Sequence, residues 1–153
     1  MRFVMQSKIK GISPERLWEH LQSPATFQMV SAPLMAFRSR DSGGFPVKWM
    51  EGSSYPLQMY MLGLIPLGQH TILFREVDQS RKKLSTDEHG QLIKFWQHTM
   101  EVMPDSDPQT FLFRDTLELK NGILTLPTYL GVYAFFAYRH WRMKRLIHNE
   151  RLN

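Results

Sequence analysis

The chain has 153 residues, 42% hydrophobic and 22% charged, the proportions of a globular domain with one core. It contains no cysteine, which excludes a disulfide framework, a thiolate metal site and a cysteine nucleophile. A formal charge of +5 and a sequence pI of about 9.6 raise nucleic acid or an anionic membrane as partners, a question decided by where the basic residues lie.

The first residues, "MRFVMQSKIKG", alternate and carry charges. They lack the long apolar core of a signal peptide, so a cytoplasmic protein is expected. Phe3 to Lys10 reads as a strand. Two helix starts follow: "SPERLWEHL" with Ser13 as N-cap and Pro14 at the first helical position, then "SPATFQMV" with Ser23 and Pro24. Leu17, Trp18 and Leu21 give the first helix an apolar stripe. A short strand is expected after Pro33. The stretch "RSRDSGGFPVKWMEGSSYP" (38–56) then reads as a long irregular connection, of the kind that is often functional.

From residue 57 the pattern is mostly that of strands. "LQMYML" and "HTILFREV" flank "GLIPLG", which reads as a hairpin turn. Centring that turn between Ile65 and Pro66 sets Met61 opposite His70, Met59 opposite Ile72 and Leu57 opposite Phe74, with one face almost wholly apolar. "KLSTDE" (83–88) is a further strand with Gly90 in the turn after it. "IKFWQHTMEV" and "TFLFRDTLEL" are two more strands, joined by "MPDSDPQ". The last element starts at Thr125 as N-cap with Pro127 in its first turn. It runs for about 24 residues, roughly 35 Å at 1.5 Å per residue. Its first half is apolar nearly all round, as in a helix with two apolar contacts. Arg139 and His140 interrupt that run too soon for a bilayer span, so no stable membrane insertion is expected. The basic group "RHWRMKR" (139–145) falls late in this helix, where the macrodipole and water stabilise cations. It is expected to be solvated, and no nucleic acid partner is expected.

The order of elements gives an α+β domain over residues 1–153. Two short helices follow the first strand, and a curved antiparallel sheet of six to seven strands needs its apolar face covered by the long C-terminal helix. In this respect "SPERLWEHL", the "GLIPLG" turn, "FWQHTM", the "FRDTLEL" strand and the Pro-initiated final helix with Arg139 resemble the START-like, or SRPBCC, superfamily. The likeness is to its polyketide cyclase/dehydrase-like branch and covers essentially the whole chain. The resemblance implies the helix-grip fold and a ligand cavity between sheet and helix. It carries no catalytic signature, because this fold hosts many functions.

The strand "FWQHTM" puts Trp96, His98 and Met100 on one apolar face. Centring the next hairpin between Ser106 and Asp107 sets His98 opposite Asp115, the one polar pair on this face, and Trp96 opposite Leu117. In this register Val102 faces Phe111 and Met100 faces Phe113, so the apolar wall is continuous around that pair. Lys94, Gln97, Thr99, Glu101, Arg114, Thr116 and Glu118 take the solvated face. Two polar residues on an apolar face must satisfy each other or a ligand, since each left unpaired costs about 1–3 kcal/mol. His98 and Asp115 are therefore either a structural pair that also contacts ligand, or the acid and base of a reaction. His70 shares the apolar face of its strand. Tyr129, Tyr133, Phe136 and His140 form a stripe on the last helix that would be core and cavity wall at once, although the stripe with Leu130, Ala134 and Trp141 fits equally.

The expected wall is thus Met59, Met61, His70, Ile72, Trp96, His98, Met100, Phe113, Asp115, Leu117, Tyr129, Tyr133 and Phe136. Ten methionines with four Trp, five Tyr and ten Phe suit an adaptable apolar lining. There is no HExxH, no Gly-rich phosphate loop and no Gly-x-Ser-x-Gly, so neither metal nor nucleotide cofactor is expected. Three functions fit these residues. The first is binding, transport or sequestration of a small apolar or aromatic molecule or a lipid. The second is an aromatase/cyclase- or dehydrase-type enzyme using His98 and Asp115. The third is an interaction or homodimerisation module with a collapsed cavity. A closed core favours the third, a pocket with one polar pair the first, and several convergent titratable groups the second.

Overall fold

A computed structural model describes residues 1–152 of the chain. Strand β1 (Arg2–Ile9) leads into helices α1 (Pro14–Leu21) and α2 (Pro24–Ser31). Strands β2 (Met35–Ser39), β3 (Ser54–Met61), β4 (Ile65–Asp78), β5 (Lys83–Gly90), β6 (Phe95–Pro104) and β7 (Phe111–Lys120) follow. A single 3-10 turn (Gly122–Leu124) then opens α3 (Thr125–His148). Both short helices begin as their sequences dictate. Ser13 Oγ accepts from the Arg16 amide and Ser23 Oγ from the Thr26 amide, with proline in each first turn.

The strands form one antiparallel sheet in the order β1-β7-β6-β5-β4-β3-β2. Every link from β3 to β7 is a hairpin or short loop, and α1 with α2 carries the chain from one sheet edge to the other. Bulges interrupt the ladder between Met59 and Tyr60 and between Phe74 and Glu76. Each bulge bends its strand and adds twist. The sheet therefore curls, and α3 lies in the hollow, close to β1, β7 and α2. This is the helix-grip fold. The connection after β2 is irregular, and it is pinned by Trp49, which is buried and stacks on Phe74 at 4.8 Å. No helix among the described residues is long and apolar enough to cross a membrane.

Four local expectations are corrected. The β3–β4 turn lies at Leu62–Leu64, where Leu62 and Gly63 both take positive φ, and not at Ile65–Pro66. Leu57 consequently faces His70 and Met59 faces Gly68. In the β6–β7 hairpin, His98 faces Leu117 and Met100 faces Asp115, because Asp105 holds the turn with bonds from the Ser106 amide and the Thr110 hydroxyl. Gly90 ends β5 and does not sit in the turn. Thr125 is inside α3: its hydroxyl donates to the Gly122 carbonyl and accepts from the Asn121 amide.

Candidate functional site: a cavity between the sheet and the C-terminal helix

The helix α3 stands away from the concave face of β3, β4 and β5, and the gap is a cavity of about 610 Å³. Members of two separate apolar clusters form its walls. Phe37, Met59 and Ile72 belong to one; Ile93, Trp96, Val132 and Phe136 belong to the other. From α3 the lining is Pro127, Thr128, Gly131, Val132, Ala134, Phe135, Phe136 and Arg139, centred on a stripe at helical spacing. Gly131 leaves open space: a Cβ there would meet no atom within 4 Å. At the mouth lie Met61, Leu92 and Leu124, and their neighbours Leu64 and Ile123 are 82% and 98% exposed.

A buried polar network closes the inner end. Burial acts to raise the Asp115 carboxyl, but the His98 charge, hydrogen bonds from His140 and His98, and Arg139 outweigh it, so its pKa lies well below the usual carboxylate range. The ionised carboxylate only accepts. His98 Nε2 donates to Asp115 Oδ1 at 2.6 Å and His140 Nε2 to Asp115 Oδ2 at 2.9 Å. His140 Nδ1 lies 2.8 Å from Ser7 Oγ and its ring stacks on Phe113. Glu88 is a second buried carboxylate. Desolvation would raise it, and the bond and charge of His70, the charge of His98 and the Thr86 hydroxyl bring it below its ordinary value. His70 Nε2 donates to Glu88 Oε2 at 2.8 Å, and Thr86 Oγ1 donates to Oε1 at 2.7 Å. His98 Nδ1 sits 4.0 Å from Glu88 Oε1, beyond hydrogen-bond reach, so the ring is bonded to Asp115 and stands beside Glu88.

The remaining buried charge is Arg139, only 5% exposed. Its guanidinium lies over the ring of Phe136 at 4.8 Å, with Phe27 and Phe135 beyond. Burial lowers its pKa, and the charges of Asp115 and Glu88 oppose that. The network thus gathers two carboxylates, three histidines and one guanidinium. Among the described residues no group of three His, Asp or Glu side chains has the arrangement needed to hold a metal ion.

Met59, Met61, His70, Ile72, Trp96, His98 and Phe136 all line the cavity. Six other expected wall residues do not. Met100 lines a separate small space of about 40 Å³ behind Arg139 and His98. Phe113, Asp115 and Leu117 are buried behind the wall. Tyr129 and Tyr133 pack edge-on against Phe3 of β1, outside the cavity, because α3 is rotated relative to the expected stripe. With those two the corrections number six in all, counting Met100, Phe113, Asp115, Leu117, Tyr129 and Tyr133. Of the alternative stripe, Leu130 and Trp141 are exposed and Ala134 lines the cavity. The expectation of a solvated "RHWRMKR" fails at Arg139 and His140, both buried. Glu88 and Gly90 were not singled out as site residues. Gly90 makes room for His70: a Cβ there would stand 2.8 Å from His70 Nδ1.

Comparison with known proteins places the chain in a family: residues 7–147 match the profile described as "Domain of unknown function (DUF8410)", and the chain belongs to that family. No curated protein matches the sequence. Solved structures share the fold at low identity. A protein of Chromobacterium violaceum has a TM-score of 0.73 at 10% identity, covering 95% of this chain and 96% of its own. Truncated norcoclaurine synthase from Thalictrum flavum has a TM-score of 0.64 at 12% identity, covering 96% and 94%. Ara h 8.0201 has a TM-score of 0.65 at 8% identity, covering 97% and 99%.

Proposed function

We propose that this protein binds a small apolar or aromatic molecule, or a lipid, in the cavity between sheet and α3, and so transports or sequesters it. The observation that carries the reading is the cavity itself: about 610 Å³ of space walled mainly by Met, Leu, Ile, Phe and Trp side chains. That volume falls within the range of small-molecule sites, roughly 300–1,000 Å³. The methionines give a wall that adapts to irregular shapes. The exposed apolar side chains at the mouth give an apolar ligand a path in. Native mass spectrometry of freshly purified protein tests the reading directly. A co-purified small molecule is expected, and saturable binding of an apolar fluorescent probe should follow its removal. An intact fold that takes up no probe would sink the proposal.

The enzyme reading has its own support. His70, Glu88, His98 and Arg139 all reach the wall, which is the convergence of titratable groups that an acid–base site needs. In a cyclisation or dehydration His98 would move the proton, and Asp115 would fix the ring with Nε2 carrying hydrogen and Nδ1 free. Binding stands first because His70 and Glu88 are engaged with each other and no nucleophile faces the cavity from the network. A panel of aromatic polyketides and fatty acids separates the two readings. Conversion of one member, abolished in His98 and Asp115 variants, would make the protein a cyclase/dehydrase-like enzyme.

A further inference from the structure

The inner end of the cavity contains a donor that the chain does not satisfy. Arg139 is buried and lines the wall, yet its Nε has no partner among the described residues. Asp115 and Glu88 act on it through space and not by hydrogen bonds. The aromatic rings of Phe27, Phe135 and Phe136 surround the guanidinium, and rings do not replace an acceptor oxygen for an N–H. Trp96 lines the same cavity, and its Nε1, also a donor only, has no partner either. Buried donors are almost always paired with protein or with something bound. His70 Nδ1 on the same wall is also unpartnered, and for Arg139 and Trp96 the missing partner is an acceptor.

Charge decides which acceptor. Two buried carboxylates, Glu88 and Asp115, already stand at this end, with their oxygens taken up by His70, Thr86, His98 and His140. A carboxylate or phosphate brought into this end would add a further negative charge in a poorly solvated place. A neutral carbonyl oxygen accepts from Arg139 without that penalty. We propose that the occupant of the cavity is a neutral, carbonyl-bearing apolar molecule, of the ketone or ester type, whose oxygen is received by Arg139 while its apolar body lies toward Met59 and Val132. This inference rests on the reading of the cavity as a binding site.

Three probes with one ring system test it: acetylnaphthalene, ethylnaphthalene and naphthoate, titrated calorimetrically into the full chain at neutral pH. The ketone is expected to bind at least tenfold more tightly than the hydrocarbon and than the carboxylate. In Arg139→Met that advantage should vanish while ethylnaphthalene still binds. Equal binding of ketone and hydrocarbon by the unmodified chain overturns the inference and leaves the binding site standing. Tighter binding of naphthoate overturns it in favour of an anion site. A ketone preference that survives in Arg139→Met removes Arg139 from the role. Failure of all three probes to bind sinks the binding-site reading together with this one. The comparison within the unmodified chain does not depend on how well the variant folds.

Discussion

Replacing Gly131 by leucine should raise stability and weaken binding together. Gly131 lies inside α3 and lines the cavity, and an added Cβ meets nothing within 4 Å. A helix-interior glycine costs about 0.5–1 kcal/mol relative to a good helix former, through the backbone entropy it loses on folding. For a chain of this size 1 kcal/mol corresponds to about 2–4 °C in Tm. Gly131→Leu should therefore melt about 1–4 °C higher than the unmodified protein, with helical signal unchanged. The leucine side chain enters space that the ligand would use, beside Val132 and Phe135. A loss of at least tenfold in probe affinity is expected, about 1.4 kcal/mol. Melting followed by circular dichroism, with calorimetric titration of an apolar probe, reads both effects. General damage moves stability and binding in the same direction, so opposite signs identify a blocked cavity. Unchanged affinity in a more stable variant would refute the placement of the ligand against α3.

Other outcomes follow from the same geometry. Asp115→Ala strands two buried histidines and should cost about 3–5 kcal/mol in a denaturant titration. His98→Gln should be milder and keep probe affinity within about tenfold if His98 is a contact only, whereas turnover of a true substrate would fall by about 10²–10⁴-fold if it moves a proton. The pKa values of Asp115 and Glu88 are lowered by folding, so their contribution is present above the unfolded values of about 3.9 and 4.3 and drains away as pH falls through the folded ones. Denaturation midpoints should therefore drop steeply below about pH 4, and less steeply in Asp115→Asn. Trp96→Ala should change probe affinity more than Lys94→Ala, since Trp96 lines the cavity and Lys94 is exposed. Gly90→Ala puts a Cβ 2.4 Å from the Gln69 carbonyl and 2.8 Å from His70 Nδ1. It should push His70 off Glu88 and destabilise the fold by about 1–3 kcal/mol, the cost of a buried group left unpaired.

Alternation made the faces of the strands readable without making their partners readable. Centring the β6–β7 hairpin one residue pair too early gave His98 the wrong facing residue, yet the displacement was two residues, an even number. Side chains alternate with period two, so every residue kept its face and His98 still shared one with Asp115. The two are diagonal neighbours, and the imidazole is long enough to close the distance to 2.6 Å. The same parity protected β3 and β4. There Pro66 suggested the turn, but the left-handed backbone of Leu62 and Gly63 makes it, and the bulge after Met59 absorbs the extra residue. Glu88 was not legible because its strand, "KLSTDE", alternates polar with polar after Leu84. Only the tertiary position of β5 between β4 and β6 shows that Leu84, Thr86 and Glu88 face inward.

Arg139 is the residue where charge pattern and periodicity disagree. Counted with its neighbours in sequence, it belongs to a basic helix end that water and the macrodipole would stabilise. Counted along the helix, Val132, Phe136, Arg139, Met143 and Leu146 recur at i, i+4, i+7, i+11 and i+14, and all are buried. Shifting the stripe by one residue, about 100° of rotation, exchanges Tyr133 for Val132 and His140 for Arg139. A cation on a stripe otherwise made of Val, Phe, Met and Leu is costly to bury unless something at that depth uses it. Asp115 and Glu88 offset part of the cost through space, but neither takes up its hydrogens. Periodicity therefore outranks local charge density here, and the unpaired donor it uncovers is why the proposed ligand is expected to place its polar group at the inner end of the cavity.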